Sequence, residues 1–308
     1  MTPHERQQLI AASWLWAVFT VLAAAGQSAR NAMQRELTAK LGTVGATHVR
    51  FLFGFPFGLL FLAIVLSATG APLPRPGLAF IPWILLGALA QICSTALMLA
   101  AMNDRSFVVT IAYTKTEVIQ AAIFGLLFLG DPLTLPILVA IVIATAGVWL
   151  MSFKGNVPMQ GGLRPTLLGL LSGAMLALSV VGYRGAILSL GRPDFVVPAT
   201  FSLAVGLVLQ STLLTLYLAL RDRAVLIAIA RAWRPSLFAG FMGATASEFW
   251  FLAFALTTAA NVRTLGLAEV LFAQAISYFI FRQATTRREA VGMMMIVVGV
   301  ALLIWVQR

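Results

Sequence analysis

Charge is scarce in this chain of 308 residues: only 10% of it is Asp, Glu, Lys or Arg, against 60% hydrophobic residues, and the mean hydropathy is +0.95. These proportions exclude a soluble globular domain and leave a multi-span membrane protein. Histidine and cysteine are nearly missing, with only His4, His48 and Cys93. No His-Glu-x-x-His, Gly-x-Ser-x-Gly or His/Cys cluster occurs, which argues against an intramembrane enzyme and calls for neither metal nor cofactor. One cysteine makes no internal disulfide, and Cys93, inside an apolar run, reads as a small packing residue. Long polar stretches are lacking too, so the chain has no room for a water-soluble catalytic domain.

Acidic residues are half as common as basic ones, 10 against 21, for a formal charge of +11. In a soluble protein that excess would point to nucleic acid. Here the arginines flank apolar runs without an aromatic platform of their own, so the partner they suit is the anionic face of a lipid bilayer and not nucleic acid. The stretch from Arg221 to Arg234, with four arginines around an apolar middle, reads as a short interfacial helix.

Runs of about 20 apolar residues predict ten membrane helices. They cover roughly Ala11–Met33, Ala46–Ala68, Phe80–Met102, Phe107–Leu129, Leu133–Phe153, Thr166–Ser189, Phe195–Leu218, Ser236–Thr258, Arg263–Phe281 and Ala290–Val306. Turn residues separate them, as in Gly70–Gly77, Gly130–Pro132 and Gly191–Pro193. The runs lack the alternation of barrel strands, so the expected fold class is all-α integral membrane, in a multi-pass protein of the cell inner membrane.

Two of the few acids, Glu117 and Glu269, fall near the middle of the fourth and ninth runs, each followed by valine. An offset of 152 residues lays Ala101, Glu117, Val118, Ala121, Thr134, Val139, Gly147, Val148 and Leu150 on Ala253, Glu269, Val270, Ala273, Thr286, Val291, Gly299, Val300 and Leu302 without a gap. The chain therefore reads as two five-helix repeats, 1–153 and 165–308, joined by a linker at 154–164. Five is odd, so the repeats enter the membrane from opposite sides, as in inverted-repeat carriers with a binding site near the midplane. The first run also belongs to the mature fold on this reading, since it has a counterpart in the sixth.

The end of each half carries a further pattern. The first copy reads Glu117, Gly125, Leu129-Gly130-Asp131-Pro132-Leu133 and Gly147; the second reads Glu269, Ser277, Phe281-Arg282-Gln283, Gly292 and Gly299. This resembles the ten-helix EamA-type transporters of the drug/metabolite transporter superfamily, with a mid-helix glutamate, a small residue, a Gly-acid turn and a helix with spaced glycines. The chain departs from the family in having Val118 and Val270 where proline often follows the glutamate, and Gln283 in place of the second turn's acid. The resemblance implies a carrier or exporter of small metabolites, and leaves the substrate open among amino acids, amines, vitamins and others.

Candidate substrate- or proton-binding residues follow from polar groups at similar depth. Tyr113, Glu117 and Gln120 are spaced to share one helix face, and Lys115 points elsewhere, toward Glu248 or Glu269 as acidic partners. Gln91, Ser94 and Thr95 form one polar face of the third run; Gln27, Arg30, Asn31 and Gln34 form one on the first. Arg184 completes the set. For each there is a plainer reading. Ser, Thr and Gln in membrane helices commonly just bond neighbouring helices, and Arg30 and Arg184 near helix ends can snorkel to headgroups. Lys115 can serve as half of a pair that only locks helices together. Gly54 with Gly58, and Gly169 with Gly173, read as close helix contacts. Glu117 and Glu269 resist such readings, because a mid-membrane carboxylate cannot snorkel easily. Of the two, Glu269 has apolar neighbours at the matching places and reads as the lone proton carrier.

These residues predict alternating access for a small polar metabolite, an amino acid or related zwitterion or amine, with a proton as the candidate coupling ion. A lipid or lipid-linked sugar flippase and a channel stand as alternatives. Monomer and homodimer are both compatible with the sequence. Counting basic residues by side sets Arg6, Arg75, Arg192, Arg263 and Arg308 against the more numerous group of Arg35, Lys40, Arg105, Lys154, Arg164, Arg221, Arg223, Arg231, Arg234, Arg282, Arg287 and Arg288, which places both termini outside. Family habit places them in the cytoplasm.

Overall fold

The computed structural model describes residues 3–104, 113–152, 164–279 and 286–306, and all regular structure among them is helical. The elements are α1 (Pro3–Leu52), α2 (Phe55–Thr69), α3 (Phe80–Asp104), α4 (Glu117–Phe124) running into a π-helical turn (Gly125–Leu129), α5 (Leu135–Ser152) and α6 (Arg164–Ser189). They continue with α7 (Val196–Arg221), α8 (Arg223–Arg231), α9 (Trp233–Leu256), α10 (Ala259–Gly266), α11 (Ala268–Phe279) and α12 (Arg287–Val306). Among the described residues, seven helical stretches are long and apolar enough to cross a bilayer, and two shorter apolar helices, Trp14–Ser28 and Glu117–Leu129, accompany them.

Most predicted runs match one element within a few residues. Three differ for identifiable reasons. The first two runs are continuous in α1 except at Gly42, whose backbone (φ 67, ψ −179) breaks the helix where only glycine is unstrained. The second run then steps at Phe53-Gly54 before α2. The ninth run is two helices, beginning at Ala259 rather than Arg263, with a turn at Leu267. The start of the fourth run and most of the predicted 154–164 linker lie outside the described residues, while Arg164 already belongs to α6.

Three pairings dominate the bundle: α3 with α6, α5 with α12, and α1 with α9. Small residues make them close. A Cβ on Gly147 of α5 would lie 2.6 Å from the Gly292 carbonyl of α12, and one on Gly299 would lie 2.7 Å from the Ala140 carbonyl. Moved by the 152-residue offset, the first of these contacts becomes the second. Gly58 sits against Leu207, Gly169 against Tyr113, and Gly173 against the Thr114 carbonyl, so these glycines are helix contacts. Outward-facing Leu60, Ile64, Leu127, Val297 and Val298 are exposed, the pattern of a lipid-facing surface. Cys93 is exposed as well, so it does not pack inside as its sequence context suggested. Only the middle of the Arg221–Arg234 stretch forms a separate helix, α8, started by Asp222, whose side chain accepts from the Val225 amide, with Ile229 as its buried residue; Arg221 ends α7 and Arg234 belongs to α9.

Candidate functional site

The two glutamates stand at equivalent irregularities in the backbone. At Lys115–Thr116 the chain tightens before α4, and Val118 N–H donates to the Lys115 carbonyl at 3.4 Å. At Leu267 it tightens before α11, and Val270 N–H donates to the Leu267 carbonyl at 3.0 Å. The 152-residue offset carries one bond onto the other. These three-residue bonds replace α-helical ones, the local geometry that often marks a hinge in a helix. Each glutamate consequently lies in the first turn of a helix, where the helix dipole favours a negative charge.

Each carboxylate is paired with a cation from the other half of the chain. Lys115 Nζ donates to Glu269 Oε1, and the Arg263 guanidinium donates to Glu117 Oε1, through Nε at 3.1 Å and through a terminal nitrogen. The four side chains are almost shut off from solvent, with relative exposures of 5% for Lys115, 1% for Glu117, 6% for Arg263 and 9% for Glu269. Gln27 of α1 donates to Glu269 Oε2 at 2.6 Å and accepts from the Trp250 indole N–H at 3.1 Å. The Arg263 guanidinium lies over the Trp250 ring, 4.7 Å from its centroid. Charges from α10, α11, the start of α4 and the turn before it thus meet in one cluster with the neutral polar groups Gln27 of α1 and Trp250 of α9. Glu117 Oε2 is buried with no hydrogen-bond partner among the described residues.

The acids are repeat equivalents and the bases are not, since Lys115 precedes its neighbouring glutamate by two residues and Arg263 precedes its own by six. Removing one member of such a pair leaves an uncompensated buried charge, at a cost of about 3–5 kcal/mol. Chemically, the cluster offers two carboxylates and two cations that can exchange partners.

Several sequence expectations change here. Glu269 is not a lone carboxylate: Lys115 and Gln27 hold it, because the Leu267 turn directs it toward the first half. Arg263 is not a headgroup-facing arginine but a buried residue of α10, which removes it from the count of basic residues at the membrane surface. Arg184 does not snorkel. It donates to Asp131 through two nitrogens, at 2.9 and 3.3 Å, and to the Phe254 carbonyl at 3.0 Å. Gly130, left-handed at φ 68, ends the π-helical turn and sets Asp131 in place for it.

Tyr113 precedes the break, so it does not continue the face of Glu117 and Gln120; it is buried, edge-on to Trp149 at 6.2 Å. Gln120 donates weakly to Thr116 Oγ1 at 3.4 Å. Gln91 lies in a separate network, accepting from the Tyr183 hydroxyl at 3.1 Å and from Gln210 at 2.8 Å. Ser94 bonds Ser172 as a helix contact, and Thr95 bonds back to the Gln91 carbonyl within α3. Glu248 reaches Thr200 and no cation. Arg30 is on α1, and its side chain, like those of Asn31 and Gln34, lies outside the described residues.

Arg263, Asp131 and Trp250 are the partners that sequence reasoning missed. A charge inventory carries a signal for the first: two mid-membrane acids call for two bases, and Arg263 begins an apolar run without being preceded by a loop-like stretch. Among the described residues no group of three His, Cys, Asp or Glu side chains could hold a metal ion.

No curated protein matches the sequence. The fold is shared with a crystal structure of a protein that it matches over 97% of each chain, with a TM-score of 0.71 and 14% identity. At that identity the likeness concerns the fold alone. The model of the EamA-like transporter family matches residues 14–153. With the apolar helices, this makes the protein transmembrane and, over residues 14–153, similar to the EamA-like transporter family.

Proposed function

We propose that the protein is a secondary transporter that moves a small polar metabolite, an amino acid or related zwitterion or amine, by alternating access between two inverted five-helix repeats. The observation that carries this reading is the crossing of the buried pairs Lys115–Glu269 and Arg263–Glu117 between halves, at two matching breaks. Purely structural locking is a poor reason for four charges in a membrane interior, because well-packed apolar groups would stabilise the bundle as well or better. A zwitterion supplies one charge of each sign, so its ammonium can take a carboxylate and its carboxylate a base as the pairs part. Broken helices at the site of charge are the usual architecture of such carriers.

The pairing of helices supports the repeat. With α1, α2, α3, α4 and α5 as spans one to five, and α6, α7, α9, α10–α11 and α12 as spans six to ten, exchanging halves turns the α1–α9 pairing into α6–α3 and returns α5–α12 to itself. The tightened turns at Lys115 and Leu267 and the glycine contacts of α5 and α12 follow the same exchange.

Proteoliposomes loaded with a panel of amino acids and amines test the reading by radiolabel exchange. Saturable exchange, reduced at least tenfold in Glu117→Gln and Glu269→Gln, is expected. Non-saturable flux would indicate a channel, and undiminished exchange in both variants would defeat the assignment of the site.

A further inference from the structure

We infer that Glu248 is a proton-binding site of the transport cycle, distinct from the crossed pairs and carrying its proton in the state described here. This rests on the transport reading for its role and on hydrogen-bond stoichiometry for its protonation.

Glu248 lies well inside the span Ser236–Leu256 of α9. Its Oε1 is hydrogen-bonded to Thr200 Oγ1 of α7, and its Oε2 is buried without a partner among the described residues. Thr200 is fully buried, and its Oγ1 also lies 3.0 Å from the Val196 carbonyl one turn earlier. A threonine hydroxyl has one hydrogen. If the carboxyl were ionised, that single hydrogen would have to be shared between two acceptors, the carboxylate and the Val196 carbonyl. A carboxylic acid resolves this: Glu248 O–H donates to Thr200 Oγ1, and Thr200 O–H donates to the Val196 carbonyl. Each oxygen–oxygen contact then has one hydrogen.

The electrostatic surroundings agree. No described cation pairs with Glu248, in contrast to Glu117 and Glu269. Of the described charged side chains on helices packed against α9, Arg184 is taken up by Asp131 and the Phe254 carbonyl, and Arg263 by Glu117. His48 is bonded to Thr215, and Arg50 lies over the Phe51 ring. Arg164, Arg221, Arg223 and Arg231 stand at the ends of α6, α7 and α8, and α2 carries no charge. An ionised carboxylate at this position would have no counter-charge among the described residues, a state that a membrane interior penalises heavily. One turn before Glu248, on the same face of α9, Thr245 Oγ1 is also buried without a partner among the described residues, placing a second hydroxyl toward which the proton can pass.

Trp250, two residues on, faces Gln27 and Arg263. The spacing puts Glu248 on the opposite side of α9, so one helix contacts the crossed pairs with one face and holds the acid with the other. Proton loss from Glu248 would create a charge that α9 must re-solvate by moving, which couples protonation to the pairs on its other face.

Infrared difference spectroscopy on the full-length protein in lipid nanodiscs tests the assignment without a substrate. At neutral pH the wild type should show the carbonyl band of a protonated carboxyl; Glu248→Gln should lose it, and Glu117→Gln and Glu269→Gln should keep it. Thr200→Val, which retains the acid, should shift the band to higher wavenumber, so the test survives misfolding of the glutamine variant. Absence of the band in the wild type, its persistence in Glu248→Gln, or no shift in Thr200→Val would each overturn the proposal. In proteoliposomes with a radiolabelled amino-acid mixture, Glu248→Gln should lose the acceleration of exchange by an imposed pH gradient. Unchanged acceleration overturns the proton site alone, whereas a wild type that moves no probe overturns the transport reading.

Discussion

Neutralising Glu117 isolates the energy of a crossed pair. In Glu117→Gln, Arg263 stays buried at 6% exposure, loses its paired carboxylate and keeps the Trp250 ring at 4.7 Å. An orphaned buried charge costs about 3–5 kcal/mol. At about 1.4 kcal/mol per tenfold, the folded-to-unfolded ratio should fall by roughly two to three and a half orders of magnitude. Arg263→Gln also forfeits the contact with the ring, about 0.5–2 kcal/mol, but that loss recurs in the double variant and cancels from a double-mutant cycle. The double variant should therefore regain much of what Glu117→Gln loses. The assay is reversible unfolding in mixed micelles for the four proteins of the cycle. Neutral interhelical hydrogen bonds in membranes couple by about 0.6 kcal/mol and by no more than about 1.7 kcal/mol, so a coupling above about 2 kcal/mol identifies an ion pair. A coupling at or below the neutral value would refute the reasoning, since Glu117 and Arg263 would then be no more than polar neighbours.

Four further outcomes follow. Gly147→Ala places a methyl 2.6 Å from the Gly292 carbonyl and should destabilise the α5–α12 contact by about 1–3 kcal/mol in the same unfolding assay. Asp131→Asn weakens the grip on Arg184 between the two halves, so chymotryptic cleavage of the purified protein should become faster, and unchanged kinetics would show that the contact adds nothing to closure. Cys93, exposed on α3 within the span Phe80–Met98, should resist a charged thiol reagent from either side of intact vesicles and react after detergent denaturation; labelling in intact vesicles would place it in water. A reporter fused after Arg308 should be active only outside the cytoplasm, because with Arg263 buried the basic residues left on the terminal side are Arg6, Arg75, Arg192 and Arg308.

Composition and run length alone determined that this is a helical membrane protein, since a backbone in lipid must satisfy its own hydrogen bonds and few segments other than long apolar helices can do so. The 152-residue offset marked Glu117 and Glu269 as equivalents because a rare charge among apolar residues is conspicuous. Partners were another matter. Lys115 to Glu269 and Arg263 to Glu117 are contacts between residues 154 and 146 positions apart, set by how the halves pack and by the turns at Lys115–Thr116 and Leu267, which no local propensity announces. Arg263 looks like a boundary arginine until the helix that holds it is seen to begin at Ala259. The same tertiary arrangement exchanged the roles of two acids: packing brings a base to Glu269 and leaves Glu248 with only a hydroxyl. Sequence located the costly charges, and the fold decided which of them are neutralised by a partner and which by a proton.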